Sequence, residues 1–345
     1  MKDTLHYNWT LKDAVFTKDK GTVFSCFACG GGSTMGYKLA GFDVLGCNEI
    51  DPKMMEAYRI NHNPKYSYLE PIQTFKMRED LPSELYNLDI LDGSPPCSSF
   101  SMAGSREKQW GKEKVFREGQ AKQILDTLFF DFIDLANKLK PKVVIAENVK
   151  GLLMGAAKSY VRDIYREFDK AGYYLQHWLL DASRMGVPQR RERVFFIALR
   201  KDLATPFLRQ SGLFDIKPHL NLKFNEKEIT CKEAFFQLGE PLKGFAIQDW
   251  TRLKNGENKK YLQSTLVNIN SVHPTITAGY SQKACAMPDW DSKWLSDSDL
   301  CKIGTYPQDY NFVKNKPAYL IGMSVPPLMT ARIALEIYAQ WLSRL

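Results

Sequence analysis

The stretch GTVFSCFACGGGSTMGYKLAGFDVLGCNEID, Gly21 to Asp51, decides the fold. Its apolar opening reads as a strand, Gly30-Gly31-Gly32 as a tight turn, STMGYKLAGF as an amphipathic helix, and the next apolar run as a second strand ending at Cys47. Strand, glycine turn, helix, strand is the start of a doubly wound α/β domain. Missing side chains in the turn let a ligand approach the backbone and the helix N-terminus, and Glu49 stands where an acid can hydrogen-bond a ribose hydroxyl. Together they point to a nucleoside-bearing cofactor. The glycines miss the G-x-G-x-x-G spacing, which makes a plain dinucleotide site a weak reading. A tight turn without a ligand is one alternative. Half a zinc site at Cys26 and Cys29 is another, but no second such pair or suitable histidine pair follows.

Outward from this stretch, LYNLDILDGSPP reads as a strand ending near Asp92, and KVVIAENV as a further buried parallel strand. Between them ILDTLFFDFIDLANKL has the apolar spacing of a packed helix. SYVRDIYREFDKAGY reads as another helix, followed by strands at YLQHWLLDAS and RVFFIALR. After about Arg200 the alternation stops, and prolines, asparagines and lysines punctuate short apolar pieces up to about Trp294, as in a second, irregular domain. The C-terminal helix in MSVPPLMTARIALEIYAQWLSRL needs a partner for its apolar face, most simply the first domain. The expected division is a catalytic and cofactor-binding domain over 1–200, completed by 320–345, with a small domain over 201–319.

The 345 residues, 44% hydrophobic and 25% charged, suffice for a sizeable core. No apolar run is expected to reach the roughly 20 residues of a membrane helix, and the N-terminus lacks signal or transit character, so a cytoplasmic protein with no membrane partner is expected. Seven scattered cysteines argue for reduced thiols rather than a disulfide framework. A formal charge of +8 suits a polyanionic partner without requiring one. No metal is expected.

Three further stretches carry candidate chemistry. GSPPCSSFS, residues 93 to 101, fixes Cys97 behind two prolines at the carboxyl end of an expected parallel strand, where open α/β sheets place their ligands. Taken alone it is a buried inert cysteine. Glu147-Asn148-Val149 ends a strand of the same sheet and brings an acid to the same crevice. Gln189-Arg190-Arg191-Glu192-Arg193 offers guanidiniums that can grip a phosphate or a base carbonyl, against the plainer reading of a solvated charge run.

In this order the chain resembles the DNA (cytosine-5) methyltransferase family. FACGGGSTMGYKLAGF looks like its cofactor motif, GSPPCSSFS its nucleophile motif, ENVKG its glutamate motif and QRRERVFFIA its arginine motif. LCKIGTYPQDYNF and IGMSVPP look like its last two motifs. The resemblance covers about Val23 to Ala198 and Leu300 to Ile333. It implies a Rossmann-like class I S-adenosylmethionine-dependent methyltransferase domain with a small irregular target recognition domain. The implied cofactor is S-adenosyl-L-methionine, with S-adenosyl-L-homocysteine as product. The implied reaction is methylation of C5 of a cytosine flipped from duplex DNA, within a specific short sequence.

The implied catalytic set is Cys97, which adds to cytosine C6, Glu147 at N3 and the exocyclic amine, Arg193 at O2, and Arg191, supporting the loop or a phosphate. The implied cofactor set is Phe27, Gly30, Gly31, Gly32, Glu49, Ile50, Glu70, Pro96, Leu128, Met323 and Ser324. Ser25 stands where the family usually has Asp, Cys29 where it has its first Gly, and Met323 where it has Asn. Ser99, Ser101 and Arg106, in or near the nucleophile loop, and Arg252 and Lys254, in the variable region, are candidate DNA contacts. Double-stranded DNA is the expected partner, a cognate restriction endonuclease a further candidate, and the chain is expected to be a monomer in a bacterial or phage-infected cell. A tRNA cytosine-5 methyltransferase is the alternative, but the variable region lacks the CFT-type tripeptide of that branch. A catalytically silent DNA-binding module would have lost Cys97 or Glu147, and a nicotinamide-dependent oxidoreductase leaves Cys97, Glu147 and Arg193 unexplained.

Overall fold

The computed structural model describes residues 7–96, 113–114, 123–124, 127–155, 157–210, 216–236, 251, 255, 265–280 and 286–345. Four strands with nearly unbroken apolar runs make the middle of a sheet: β1 (Thr22–Cys26), β2 (Asp43–Glu49), β4 (Ile90–Gly93) and β5 (Val143–Val149). Such runs mark strands covered on both faces. The short edge strand β3 (Tyr66–Leu69) and the long pair β6 (Tyr173–Asp181) and β7 (Glu192–Arg200) complete seven strands in the order β3-β2-β1-β4-β5-β7-β6. The first five are mutually parallel. β7 runs antiparallel to both β5 and β6. After β1 the chain builds outward through β2 and β3, then returns to place β4 on the other flank of β1. Ligands of open sheets bind at the carboxyl ends of the strands beside such a reversal.

The period of two within each strand separates two buried layers. Phe24, Leu91, Val144 and Phe196 face α3 (Leu128–Leu139) and α4 (Ala157–Lys170). Val23, Ile90, Ile145 and Ile197 face α1 (Gly32–Leu39) and the C-terminal helix α7 (Pro327–Gln340). The C-terminal helix thus buries its apolar face against α1 and this side of the sheet. A third cluster joins α5 (Asp297–Gly304) and α6 (Pro317–Met323) to Met35 of α1 and Met54 of α2 (Pro52–His62), and reaches Cys231, Val267 and Ile276. Buried contacts therefore cross the boundaries expected at 200 and 319. Phe207, Leu220 and Leu222 pack in the same layer as Trp341.

One expectation needs correction. The helical run Pro317–Arg344 is 28 residues long, and its most apolar 18-residue window has a mean hydropathy of 1.3, enough to cross a membrane by length and composition alone. In the fold 78% of its most apolar window is buried, because the run is interrupted near Ser324 and its second half lies against α1. Gly36 sets that approach: a Cβ there would fall against the Pro327 carbonyl and the Thr330 side chain. Gly36→Ala should therefore lower stability by about 2 kcal/mol despite alanine's better helix propensity. Thermal unfolding reads it out, and an unchanged midpoint would show that the two helices part freely.

Candidate active site

Past β1 the backbone turns sharply, with Phe27 and Cys29 left-handed at φ 51° and 49° and Gly31 at φ 86°. Holding two non-glycine residues there costs on the order of 1–2 kcal/mol each, which the surrounding contacts offset. The turn is locked to the end of β2 through Glu49. Its Oε2 accepts the Cys29 amide at 2.7 Å, and its Oε1 accepts the amides of Ile50 and Asp51 at 2.8 and 2.9 Å. Burial pushes the Glu49 carboxyl above its ordinary value, against the pull of these amides.

A crevice opens over this turn. Of the residues expected to hold the cofactor, Phe27, Glu49, Ile50, Glu70, Pro96, Leu128 and Met323 line it. Gly30, Gly31, Gly32 and Ser324 do not line it. Added Cβ atoms at the three glycines would strike Leu320, His62 and Ser324, respectively. The glycines thus admit protein packing from behind the turn, where a ligand's approach was the expected reason. Ser324 is buried and donates to the Leu320 carbonyl at 2.8 Å. Glu70 does reach the crevice, with its carboxylate paired to Arg78 at 2.9 Å.

Cys29, marked in the sequence as a departure within the cofactor motif, also lines the crevice, and sequence reasoning missed Asn48, Asp51, Met54, Ile72, Ser94 and Tyr319 there. Asn48 and Asp51 flank Glu49, which is a signal that could have found them. Asn48 secures the end of β3, donating to the carbonyls of Tyr68 and Glu70 at 3.2 and 2.8 Å, and Asp51 caps α2 through the Lys53 amide at 2.8 Å. Tyr319 carries no such signal, being nearly three hundred residues from the turn.

Behind the turn, the Gly30 carbonyl accepts from the Tyr310 hydroxyl and faces His62 Nε2 at 3.3 Å. Burial holds the His62 pKa down at about 3, with Lys38 adding to the effect, and burial holds His273 at about 4. Both folded values lie below the unfolded value near 6.5. The stability that these neutral rings contribute is complete above that pH and is lost as pH falls towards the folded values. The slope approaches about 1.4 kcal/mol per pH unit for each ring. In urea titrations between pH 7 and 5, His62→Gln should flatten the dependence by one proton, and an unchanged slope would contradict a buried neutral His62.

The second half of the site lies at the carboxyl end of β5, where the antiparallel register sets Val149 against Arg193 and Glu147 against Phe195. Glu147 Oε1 meets Arg193 Nε at 2.9 Å, with the side chains 13% and 16% exposed. The pair is sheltered and still accessible. Asn148 turns inward and donates to the Pro95 carbonyl at 3.1 Å, pinning the diproline segment that leads to Cys97. Arg191 behaves differently from Arg193. It is fully buried, donating to the carbonyls of Ile276 and Gly322 at 3.1 and 2.9 Å. Burial lowers its pKa to about 9, with Arg193 contributing. Arg191 therefore ties segment 273–276 to the end of α6, beside the crevice. Gln189, which the sequence marks only as the start of this motif, assists by accepting from the Ile276 amide at 3.0 Å. Cys97, Ser99, Ser101, Arg106, Arg252 and Lys254 lie outside the described residues.

A carboxylate and a guanidinium side by side can meet a heterocyclic edge that presents both an amine and a carbonyl. Residues 21–339 match the model of the C-5 cytosine-specific DNA methylase family. The Type II methyltransferase M.NgoPII of Neisseria gonorrhoeae is 32% identical over 347 residues, covering 91% of this chain and 94% of that protein. M.NgoMIV of the same organism is 35% identical over 349 residues, covering 92% and 96%. M.FnuDI of Fusobacterium nucleatum is 37% identical over 181 residues, and that match spans 52% of this chain and about half of the relative, 47%. The fold is shared with Spodoptera frugiperda DNMT2, at a TM-score of 0.64 and 18% identity, covering 92% of this chain and 99% of that one.

Proposed function

The chain belongs to the C-5 cytosine-specific DNA methylase family, and from that membership we propose how its residues carry the reaction. It is a DNA cytosine-5 methyltransferase that uses S-adenosylmethionine, with DNA as substrate. The crevice fits this cofactor: Phe27, Ile50, Ile72 and Leu128 offer apolar walls for an adenine, and Glu49, Asp51 and Glu70 offer carboxylates for hydroxyl and amino groups. When bound there, S-adenosylmethionine supplies the methyl group that C5 takes.

In this reading the chain's own residues do the rest. Cytosine C5 is a poor nucleophile, so Cys97 adds as thiolate to C6 and breaks the aromaticity of the ring. A free thiol with pKa near 8.5 is only a few per cent ionised at pH 7, so its attack must be coupled to stabilisation of the base. Glu147 serves N3 and the exocyclic amine, and Arg193 holds O2. Loss of the C5 proton then releases Cys97 by elimination. Arg191 acts as a positioning residue through Ile276 and Gly322. The observation that carries this reading is the Glu147–Arg193 pair beside the Asn148-anchored diproline.

A cytosine within a duplex cannot present C6 to a thiol, so the base is flipped out, at a cost of about a few kcal/mol. The segment after Cys97 closes over the DNA, with Ser99, Ser101 and Arg106 touching it. The region 201–319 acts as the target recognition domain, with Arg252 and Lys254 on phosphates. The Type II names of the relatives support a restriction-modification setting, in which we place a cytoplasmic monomer in a bacterial or phage-infected cell, with a cognate endonuclease as a candidate partner. They favour DNA over the tRNA alternative. The test is transfer of labelled methyl from S-adenosylmethionine to unmethylated duplex DNA, with base-resolution mapping. The expected product is 5-methylcytosine in one short sequence context. An unlabelled duplex beside modified tRNA would overturn the substrate reading.

A further inference from the structure

The rungs between β1 and β4 change character towards the site. Val23 pairs with Ile90 and Phe24 with Leu91, both apolar, but the next rung sets Ser25 against Asp92. These two are 1% and 5% exposed. Asp92 Oδ2 accepts from Ser25 Oγ at 3.0 Å, and Oδ1 accepts from Tyr37 Oη of α1 at 2.9 Å. Burial outweighs both hydroxyls and pushes the Asp92 carboxyl up to about 7, with the charge of Glu147 adding to the push. A carboxyl so placed is costly unless its partners are met, and once they are met it specifies one geometry. Two residues beyond this rung β1 enters the turn under the cofactor crevice at Phe27, and β4 runs into Ser94-Pro95-Pro96 ahead of Cys97.

We propose that Asp92 is a positioning residue whose carboxyl, gripped by Ser25 and Tyr37, holds the cofactor turn, α1 and the strand leading to Cys97 in one fixed arrangement. The geometry makes the carboxyl exchangeable across the rung. Ser25 and Asp92 are register partners on one face of a parallel ladder, so Ser25→Asp combined with Asp92→Ser returns a carboxyl and a hydroxyl to the same place. The inference rests on Cys97 being the nucleophile, and that reading is tested separately by Cys97→Ser. Failure of the exchange leaves it untouched.

The experiment compares the full chain, Asp92→Ser, and Ser25→Asp/Asp92→Ser by turnover on duplex DNA, calorimetric affinity for S-adenosylmethionine, and thermal midpoint. Asp92→Ser should lower turnover at least about tenfold and weaken cofactor binding several-fold. The exchange variant should recover both to within about threefold of the parent. If Asp92→Ser does not fold, recovery in the exchange variant still supports the proposal. Wild-type turnover in Asp92→Ser overturns it. So does an exchange variant no better than Asp92→Ser, whether folded or not.

Discussion

Cys97→Ser should abolish methyl transfer to duplex DNA, with turnover falling by at least about 10⁴-fold. A serine hydroxyl is far less acidic than a thiol and, without a base to ionise it, does not add to cytosine C6. Affinity for S-adenosylmethionine should stay within about threefold, because the carboxylates and apolar walls of the crevice belong to other residues. Labelled methyl transfer and a calorimetric titration with the cofactor separate the two effects. Undiminished turnover in this variant would remove Cys97 from the mechanism.

Glu147→Gln should lower turnover by about 10²- to 10⁴-fold, the range expected when a positioned acid–base group is lost. The substitution is chosen for its shape. The amide oxygen can still accept from Arg193, which now meets Glu147 at 2.9 Å, so the walls of the site should persist while the ionisable group is lost. Cofactor affinity and thermal midpoint should change little, since neither residue of the pair lines the cofactor crevice and both side chains remain partly exposed. A loss confined to cofactor affinity would falsify the assignment of Glu147 to the base.

The contrast between Arg191 and Arg193 shows where sequence reasoning stops. Both stand in one short basic run and in the implied catalytic set, where the resemblance puts Arg193 at the cytosine O2 and Arg191 in support of the loop or a phosphate. The register of β7 against β5 brings Arg193 to Glu147, and the loop before β7 buries Arg191 under segment 273–276 and α6. The motif separates their roles but cannot name what Arg191 supports, because the carbonyls that claim it belong to residues 276 and 322. The glycine turn was recognised for similarly incomplete reasons. Its glycines are needed for Leu320, His62 and Ser324, groups that arrive from elsewhere in the chain.

By itself the sequence determined the alternation of strands and helices around the glycine turn and the parallel run through β1, β4 and β5, and it marked Glu49, Cys97, Glu147 and Arg193 as the candidates for the chemistry. Those features are written in local periodicity and in motifs a few residues long, where side-chain type and backbone preference act on near neighbours. It left α2 and β3 unassigned, and it did not show that β7 runs backwards between β5 and β6, because a strand buried on both faces reads the same in either direction. The tertiary structure alone decided that orientation, the packing of α7 on Gly36, the separate fates of the two arginines and the meeting of Ser25 with Asp92. Each depends on which distant groups satisfy a buried polar atom or fill a space of fixed shape, and the chain records those partners only once it has folded.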